Sequence, residues 1–475
     1  MVDDDVETRG VTPLCMTGEG LNGSWLVGRA MTQIAEVTIT GLSHDGRGVG
    51  RHGGQVVFVP DLLPGERARV RLERGARGVL HGVCLERLND NAERRRPACI
   101  LAERCGGCSL QHLSHGGQLA SKALVLGQAM TRIAQIEQRP DPVCSDGREL
   151  GYRNRAVIPL ERTPEGVIKA GYYRKGSHRI VNMNHCPVLD PRLDRLIAPI
   201  KADLEASGWP VDRHLQASGG LRHLALRVGH HTGELLITLI SSHADLPERE
   251  ALASQWMARW ADVVGVVLNL QPSASNTLFG PRSELLAGRS WLQDRFCGLE
   301  VAIGCDTFFQ VNTLQAEAVA AQMLLALPPG DGLVIDAYCG VGAFSLPLAA
   351  AGHRVLGLEL QESSIALARR NADRNHLQEH CQFRGGSVAD HLAAQLPMAK
   401  AVLVDPPRKG LESAVRQALI EQPVGRLLYL SCDPATLSRD LGELCGNGPY
   451  ALTSLQPYDF FPNTSHVETL AVLSS

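Results

Sequence analysis

The last third of the chain alternates between short, almost continuously apolar runs and segments with helical periodicity. The apolar runs cover residues 333–335, 355–358, 401–404 and 427–430, and the predicted helices cover residues 343–351 and 363–375. Strands with no polar face are buried on both sides, and a strand–helix–strand order makes neighbouring strands parallel. The pattern therefore predicts an α/β domain with a parallel sheet between two helical layers.

The rest of the chain divides into three further segments. Residues 1–30 form a polar, Gly-rich tail, and Met31 is an alternative start of translation. Residues 31–90 contain four or five short β-type runs separated by glycine turns, which predicts a small closed barrel of the OB type. Residues 91–300 combine a predicted helix at 119–136 with predicted strands at 224–228, 235–240 and 263–270. We therefore expect a mixed α+β central domain and an α/β domain over 301–475.

A glycine-containing turn follows the first strand of the predicted parallel sheet. Its sequence, DAYCGVGAF, covers residues 336–344, and Glu359 ends the next strand. Such a turn lets the backbone approach a nucleotide, and a carboxylate at the second strand can bind ribose hydroxyls. Ser345 replaces the third glycine of a dinucleotide fingerprint, and Asp336 favours a cationic ligand over a pyrophosphate. S-adenosylmethionine fits this turn better than NAD does.

Three further motifs follow later strands or lie near the C-terminus. They are Asp405-Pro-Pro-Arg408, Ser431-Cys432-Asp433-Pro434 and, at residues 463–468, NTSHVE, which ends in Glu468. A thiol and a carboxylate match the chemistry of methylation at C5 of uracil. That carbon becomes nucleophilic only when a thiolate adds to C6, and a base must then remove the C5 proton. The candidates are Cys432 as nucleophile and Glu468 as base.

Charge and length exclude several classes of protein. The 475 residues carry 47 Lys+Arg and 50 Asp+Glu, no apolar run approaches the length of a membrane span, and the N-terminus is acidic where a signal peptide would be basic. We therefore expect a cytoplasmic protein without a membrane partner, whose cysteines stay reduced. Basic stretches at 51–96 and 148–185 are candidates for phosphate contacts or ordinary solvated faces.

Four cysteines have the spacing of a metal or cluster site. Cys99, Cys105 and Cys108 lie within ten residues, and Cys186 lies far downstream. Three thiolates can hold one face of an iron–sulfur cluster, which a distant fourth completes. Zinc bound by the same thiolates is the alternative, because spacing does not separate the two.

The motifs closely resemble those of the RNA uracil-C5 methyltransferases. The resemblance runs through FFQVN at 308–312, residues 336–344, Glu359, 405–408, 431–434 and 466–468. It implies a Rossmann-like methyltransferase domain with Cys432 as nucleophile and Glu468 as base. The S-adenosylmethionine contacts that it implies are Gln310, Tyr338, Ala343, Glu359, Gly386 and Asp405. Ala343 offers only backbone or packing contact, and Gly386 stands where relatives often carry Asn or Asp.

The cysteine spacing and the barrel resemble one branch of that family, the RlmD type. Its members have an N-terminal TRAM domain and a [4Fe–4S] cluster, here implied at Cys99, Cys105, Cys108 and Cys186. The resemblance implies 23S rRNA as partner, with uridine 1939 as target. The cluster is expected to be structural, because methyl transfer contains no redox step. We expect a monomer without an obligate protein partner.

Three alternatives to this function remain open. The same reaction on another rRNA or tRNA uridine is the nearest. A non-catalytic RNA-binding assembly factor is disfavoured by the presence of Cys432, Glu468 and the cofactor turn together. A cytosine-C5 methylase would place its cysteine in a different motif.

Three aromatic residues before the Glu468 motif are candidates for stacking on a flipped base. They are Tyr458, Phe460 and Phe461, and core packing is the alternative for each. Asn312 also has an alternative role as a helix N-cap, with Gln315 at the capping-box position. No single arginine of the basic stretches can be selected from the sequence.

Overall fold

The computed structural model describes residues 33–475, apart from 76–77, 213–218, 328–329 and 331. The predicted tail over residues 1–30 and the alternative start at Met31 lie outside these residues. The described chain forms a closed barrel and sheets of six, two and seven strands. Within this part of the chain, no helix is long and apolar enough to cross a membrane.

The N-terminal barrel has five strands in the order β1-β2-β3-β5-β4. In the first strand, buried Val37 and Ile39 alternate with exposed residues, so one face fills the interior. A Cβ on Gly50 would lie 2.4 Å from Val37 Cγ1, so the close approach of the first two strands requires a glycine there. The predicted small closed barrel is confirmed. Its strands are β1 (Gln33–Leu42), β2 (Gly48–His52), β3 (Gln55–Val59), β4 (Arg67–Arg74) and β5 (Leu80–Arg87).

The central region is built on a six-stranded sheet of order β11-β10-β9-β8-β6-β7. Its three predicted strands are confirmed as β8, β9 and β10, of which β9 and β10 run parallel. The predicted helix at 119–136 begins earlier, at His115, and ends in a π-helical turn, Met130–Ala134. The elements are α1 (His115–Ala129), β6 (Arg155–Arg162), β7 (Ile168–Ala170), α2 (Pro191–Ala206), β8 (Leu221–Val228), β9 (Leu235–Ser241), α3 (Arg249–Arg259), β10 (Val263–Leu270) and β11 (Arg282–Gly288).

A two-stranded hairpin and a seven-stranded sheet complete the chain. The predicted strands and helices of the last third are confirmed to within two residues. The hairpin strands are β12 (Trp291–Phe296) and β13 (Leu299–Gly304). The strands of the large sheet are β14 (Leu333–Ala337), β15 (Arg354–Glu359), β16 (Cys381–Gly385), β17 (Ala399–Val404), β18 (Arg426–Ser431), β19 (Ala451–Tyr458) and β20 (Glu468–Ser474). The helices are α4 (Thr313–Ala326), α5 (Ser345–Ala350), α6 (Glu362–Arg374), α7 (Val388–His391), α8 (Ser413–Glu421) and α9 (Pro434–Gly446), with a 3₁₀ turn at Leu396–Met398.

The large sheet has the order β16-β15-β14-β17-β18-β20-β19. Its first five strands are parallel, and β20 runs antiparallel to both β18 and β19. Apolar residues fill both faces, as the continuous apolar runs predicted. The chain moves outward from β14 to β16 and then returns to the other side of β14 with β17. Ligands bind at the carboxyl ends of the strands beside such a switch point.

The central region packs closely against the carboxyl edge of the large sheet. Leu126 and Met130 are buried in the same core as one face of that sheet. The backbone N–H of Leu110 donates to the carbonyl oxygen of Asn463 at 2.9 Å, and that of Asn154 donates to Val311 at 2.9 Å. Residues distant in sequence therefore line the crevice at the switch point.

Candidate active site

Two carboxyl groups lie at the ends of β14 and β17, on either side of the switch point. Burial raises the pKa of Asp336 and of Asp405 to about 7. The negative charge of Glu359 raises the pKa of Asp336 further, and that of Asp336 raises the pKa of Asp405. Because a positive charge between such carboxyl groups relieves their repulsion, the crevice favours a cationic ligand.

Gln310 enters the same crevice from the loop before α4. Its side-chain amide donates to Asp405 Oδ2 at 3.2 Å, which opposes the effect of burial on that carboxyl. The loop is held from the central region, where the Asn154 side chain donates to the carbonyl oxygen of Gln310 at 2.9 Å. Asn312 caps α4 by accepting from the N–H of Gln315, so its alternative role as an N-cap is confirmed.

The turn after β14 has an unusual backbone. Tyr338, Gly340 and Gly342 all have positive φ, at 70°, 56° and 83°. Glu359 accepts a hydrogen bond from the N–H of Gly340 at 3.1 Å and so holds the turn in place. The Tyr338 hydroxyl and Asp336 Oδ1 are buried without a hydrogen-bond partner in the described structure. Unpartnered polar atoms in a crevice call for a polar ligand, and S-adenosylmethionine, with its ribose hydroxyls and two cationic groups, suits them.

Two of the predicted cofactor contacts have no polar side chain. Gly386 follows β16 with φ of 130°, and its N–H donates to the carbonyl oxygen of Glu359 at 2.9 Å. At this φ a side chain would strain the backbone, and a Cβ there would lie 2.4 Å from His391 Nε2, so glycine is favoured over the Asn or Asp expected at this position. Ala343 is half-buried and packs on the core. Each can offer a ligand only backbone or packing contact.

Cys432 and Glu468 meet across two paired strands. In the antiparallel pairing of β18 with β20, Ser431 lies opposite Thr469. Cys432 follows Ser431, and Glu468 precedes Thr469. If the same register continues by one position, Cys432 and Glu468 are opposite each other, with the thiol beside the carboxyl group. Cys432 is half-buried and Glu468 is 6% exposed. Parallel β17 and β18 bring both to the carboxyl edge that holds Asp405.

The charges around this pair act on one another. Burial raises the pKa of Cys432 to about 12, Glu468 raises it further, and Arg408 lowers it. Burial also raises the pKa of Glu468 to about 8, with Asp405 adding to the effect and Arg408 opposing it. The thiol, both carboxyls and the guanidinium thus form one electrostatic cluster. At neutral pH it holds the thiol and the Glu468 carboxyl largely in their protonated forms.

The three aromatic candidates for stacking differ in exposure. Tyr458 and Phe460 are 2% and 0% exposed, and their rings pack in the core. The stacking role is therefore wrong for these two. Phe461 is half-buried, and its ring contacts that of His466, with ring centroids 5.9 Å apart. It is the one of the three that remains a candidate.

A buried ion pair that the sequence motifs did not indicate supports the segment between β19 and β20. Lys122 on α1 binds Asp459, and both side chains are fully buried. Lys122 Nζ also donates to the carbonyl oxygen of Phe461 at 3.0 Å, and His115 Nε2 lies 2.8 Å from Asp459 Oδ2. In the sequence, the ion pair is indicated only weakly, by the position of Lys122 within the apolar pattern of the predicted helix. Its burial depends on a partner 337 residues away.

The four predicted cluster ligands lie within electrostatic range of one another. Cys186 is buried, and the other three are half-buried. Burial raises the pKa of Cys186 to about 12, and the charges of Cys108, Cys105 and Cys99 raise it further. The N–H groups of Leu101 and Gly107 donate to the sulfurs of Cys99 and Cys105, each at 3.4 Å.

Within the described residues, no group of three or more His, Cys, Asp or Glu side chains is placed to hold a metal ion. The structure therefore gives no support to the description of the central domain as an iron–sulfur domain, and the cluster stays a prediction. Four thiols in mutual electrostatic range, two of which accept backbone N–H groups, nevertheless have the donor chemistry that such a cluster uses.

Two family models match the chain. One, described as a TRAM domain, matches residues 31–85. The other, described as tRNA (Uracil-5-)-methyltransferase, matches residues 292–387 and 392–475. The first coincides with the β-barrel, and the second covers the hairpin and the seven-stranded sheet.

Whole-length relatives and a solved structure agree with these matches. A protein of Parasynechococcus marenigrum (strain WH8102), named "Uncharacterized RNA methyltransferase", is 50% identical over 92% of this chain and 95% of its own length. One of the same description from Halalkalibacterium halodurans is 35% identical over 93% and 96%. The crystal structure of Pyrococcus abyssi tRNA (uracil-54, C5)-methyltransferase with S-adenosyl-L-homocysteine has a TM-score of 0.73. It is 26% identical and covers 92% of this chain and 99% of its own.

Proposed function

The chain belongs to the family of RNA (uracil-5) methyltransferases with an N-terminal TRAM domain, and we propose that it forms 5-methyluridine at position 1939 of 23S rRNA. As a member, it is a methyltransferase that uses S-adenosylmethionine and acts on RNA. The rRNA target, the residues of the mechanism and the iron–sulfur cluster are parts of the proposal.

The observation that carries the proposal is the pairing of Cys432 with Glu468 beside the cofactor crevice. The register of β18 and β20, continued one position beyond Ser431 and Thr469, puts the two residues opposite each other, and the charge of Asp405 in the crevice raises the pKa of both. Methylation at C5 requires one nucleophile and one general base. An assembly factor without catalysis has no use for this arrangement.

In the proposed mechanism, the Cys432 sulfur adds to C6 of the target uracil and makes C5 nucleophilic. When bound, S-adenosylmethionine supplies an electrophilic methyl group, to which C5 bonds as the C–S bond breaks. The Glu468 carboxylate then takes the C5 proton, the bond between sulfur and C6 breaks, and the Cys432 thiolate is regenerated. One methyl group is transferred, and one proton is released through Glu468 to solvent.

The thiol must lose its proton to solvent before it can add, and it takes a proton back after it leaves C6. Burial and the Glu468 charge keep the pKa of Cys432 high in the free site, whereas Arg408 lowers it. We propose that Arg408 stabilises the thiolate at the moment of addition. It is exposed, and its charge lowers the pKa of both members of the pair.

We propose that seven residues contact the cofactor, namely the six predicted contacts and Asp336. Glu359 accepts from the ribose hydroxyls, while Asp405 and Asp336 face the positive charge. Tyr338 offers its unpartnered hydroxyl and Gln310 its amide. Gly386 and Ala343 allow close approach of the ligand to the backbone.

For the four cysteines we propose a [4Fe–4S] cluster with a structural role, and zinc is the alternative. The support is the donor chemistry of the thiols and the N–H groups aimed at two of the sulfurs. Iron and sulfide quantitation with visible absorption on protein purified without oxygen distinguishes the two. Four irons per chain, lost in a Cys105→Ser variant, are expected; one zinc without sulfide would contradict the cluster.

We propose that the chain divides into the barrel at 31–90, a central domain at 91–300 and the catalytic domain at 301–475, and acts as a cytoplasmic monomer.

A second candidate substrate is a tRNA uridine. It is favoured by the likeness to a solved tRNA (uracil-54, C5)-methyltransferase over nearly its whole length.

The test is mass mapping of 23S rRNA and tRNA from a strain that lacks the gene. We expect one uridine of 23S rRNA to lose its methyl group and to regain it with the wild-type gene but not with Cys432→Ala. Cys445→Ala, which removes a half-buried thiol from the same helix region, is the matched control and should restore the methyl group. Loss in tRNA alone would replace the rRNA target. No loss in either RNA would contradict a methylase function.

A further inference from the structure

Three arginines without acidic partners surround a cavity on the central domain. Arg104, Arg174 and Arg179 are exposed and line a cavity of about 650 Å³. The lining also includes one carboxylate, Glu161, which is paired with Lys169 at 3.6 Å. None of the three guanidinium groups forms a salt bridge with an acidic residue of the described chain, although many other arginines do. Unpaired cations around one concave surface repel each other, so a bound anion would stabilise the arrangement.

The backbone fixes the relative position of these arginines. Cys105 and Arg174 form an antiparallel bridge, in which the N–H of Lys175 donates to the carbonyl oxygen of Arg104 at 3.2 Å. The N–H of Arg174 donates to the carbonyl oxygen of Arg179 at 2.8 Å. Two hydrogen-bonded chain segments and a turn therefore carry the three side chains, and less entropy is lost when they bind a ligand together.

A second cavity adjoins this surface on the side of the barrel. It has a volume of about 830 Å³, shares Arg174 with the first, and is also lined by Arg47 of the barrel and by Tyr173. Ser109 lines the same cavity and accepts a hydrogen bond from the N–H of Ser465, which lies three residues before Glu468. A polymer that lies in the first cavity can thus continue between the barrel and the central domain.

We propose that Arg104, Arg174 and Arg179 bind phosphate groups of the substrate RNA outside the target uridine. The proposal rests on the proposed function in that RNA is the substrate. Guanidinium groups bind phosphate through two hydrogen bonds at once. The first cavity is lined mainly by charged and polar residues, whereas a protein interface would need an apolar centre.

The experiment measures the salt dependence of RNA binding by the full-length protein. Fluorescein-labelled poly(U) is titrated at several KCl concentrations, and binding is followed by fluorescence anisotropy. Each phosphate contact on a single strand contributes roughly 0.7 to the slope of log affinity against log salt. We expect the combined substitution Arg104→Ala, Arg174→Ala and Arg179→Ala to lower that slope by about 2. Arg139→Ala, which removes an exposed arginine elsewhere, is the matched control and should leave the slope unchanged.

A charge-conserving variant separates a contact from a folding defect. A variant in which all three arginines are replaced by lysine should keep most of the slope. S-adenosylhomocysteine should bind the alanine variant as tightly as it binds the wild type. The proposal is overturned if the alanine variant keeps the wild-type slope. It is also overturned if the three alanine substitutions abolish binding of a protein and leave the affinity for RNA unchanged. If the wild type binds poly(U) with the expected slope yet makes no 5-methyluridine, the proposed function fails and the phosphate surface stands.

Discussion

The hydroxyl of Ser109 accepts a hydrogen bond from the backbone N–H of Ser465 at 3.2 Å. Ser109 directly follows Cys108, and Ser465 belongs to the motif that ends in Glu468. On the other side, a Cβ at Gly46 of the barrel would lie 2.8 Å from the Ser109 hydroxyl oxygen. One serine therefore lies where the barrel, the cysteine segment and the segment before Glu468 meet. The contact thus links the segment of the predicted cluster ligands to the segment of the proposed base.

Replacement of Cys432 by alanine should reduce methyl transfer to background. The charged groups around it, the carboxyls of Glu468 and Asp405 and the guanidinium of Arg408, cannot replace the thiolate in the addition to C6. S-adenosylhomocysteine should still bind, since the thiol is not among the proposed cofactor contacts. Calorimetry measures the binding of S-adenosylhomocysteine, and the transfer of a radioactive methyl group to RNA measures the activity. Residual turnover well above background would remove Cys432 as the nucleophile.

Replacement of Glu468 by glutamine should trap the reaction after methyl transfer. The C5 proton then has no acceptor, and a covalent complex of protein and RNA should accumulate while turnover falls by about 10²- to 10⁴-fold. Denaturing gel electrophoresis with labelled RNA detects the complex. Turnover at the wild-type rate, without a complex, would contradict the role of Glu468 as the base.

The single-turnover rate should rise with pH through about pH 8 and should not level off there. The proposed base, Glu468, acts in its ionised form, and burial raises its pKa to about 8, so the active fraction grows as the pH rises through that value. The raised pKa of Cys432 acts in the same direction, because the thiolate fraction also grows. Rapid-quench experiments from pH 6 to 8 test whether the rate rises or falls with pH. A rate that falls as pH rises from 6 to 8 would contradict the assignment.

Replacement of Lys122 by methionine should destabilise the protein strongly. It leaves the buried Asp459 carboxylate with His115 but without its buried cation, and the loss of one member of a buried pair costs about 3–5 kcal/mol. Denaturant unfolding followed by circular dichroism measures the change. Lys409→Met, which breaks the exposed pair with Glu412, is the control and should cost about 1 kcal/mol or less. Adding Asp459→Asn to the Lys122 variant should recover part of the loss.

Replacement of Glu359 by glutamine should weaken cofactor binding. The carboxylate holds the Gly340 N–H and is proposed to bind the ribose hydroxyls, and hydrogen bonds to a charged group contribute about 1.5–3 kcal/mol. The dissociation constant of S-adenosylhomocysteine should therefore rise by roughly 10- to 100-fold in calorimetry. The control, Glu379→Gln, changes an exposed carboxylate after the neighbouring helix and should have no effect.

Local sequence patterns are sufficient to predict the barrel, the parallel sheet and the positions of most of their strands and helices. Periodicity and turn residues are local properties, and the hydrophobic pattern of a short segment specifies its own conformation. The same locality explains why the Asp336–Phe344 turn and the Glu359 strand end could be assigned to a cofactor site. Each needs only a few consecutive residues to be recognised.

Folding brings together side chains that no local pattern relates. The contact of Lys122 with Asp459 joins residues 337 apart, and that of Ser109 with Ser465 joins residues 356 apart. Packing also buries Tyr458 and Phe460 in the core and leaves Phe461 half-buried, and it places Arg104, which lies outside both basic stretches, beside Arg174 and Arg179 of the second stretch. Burial and pairing of a side chain depend on what packs against it, and chain folding brings that partner from another part of the sequence.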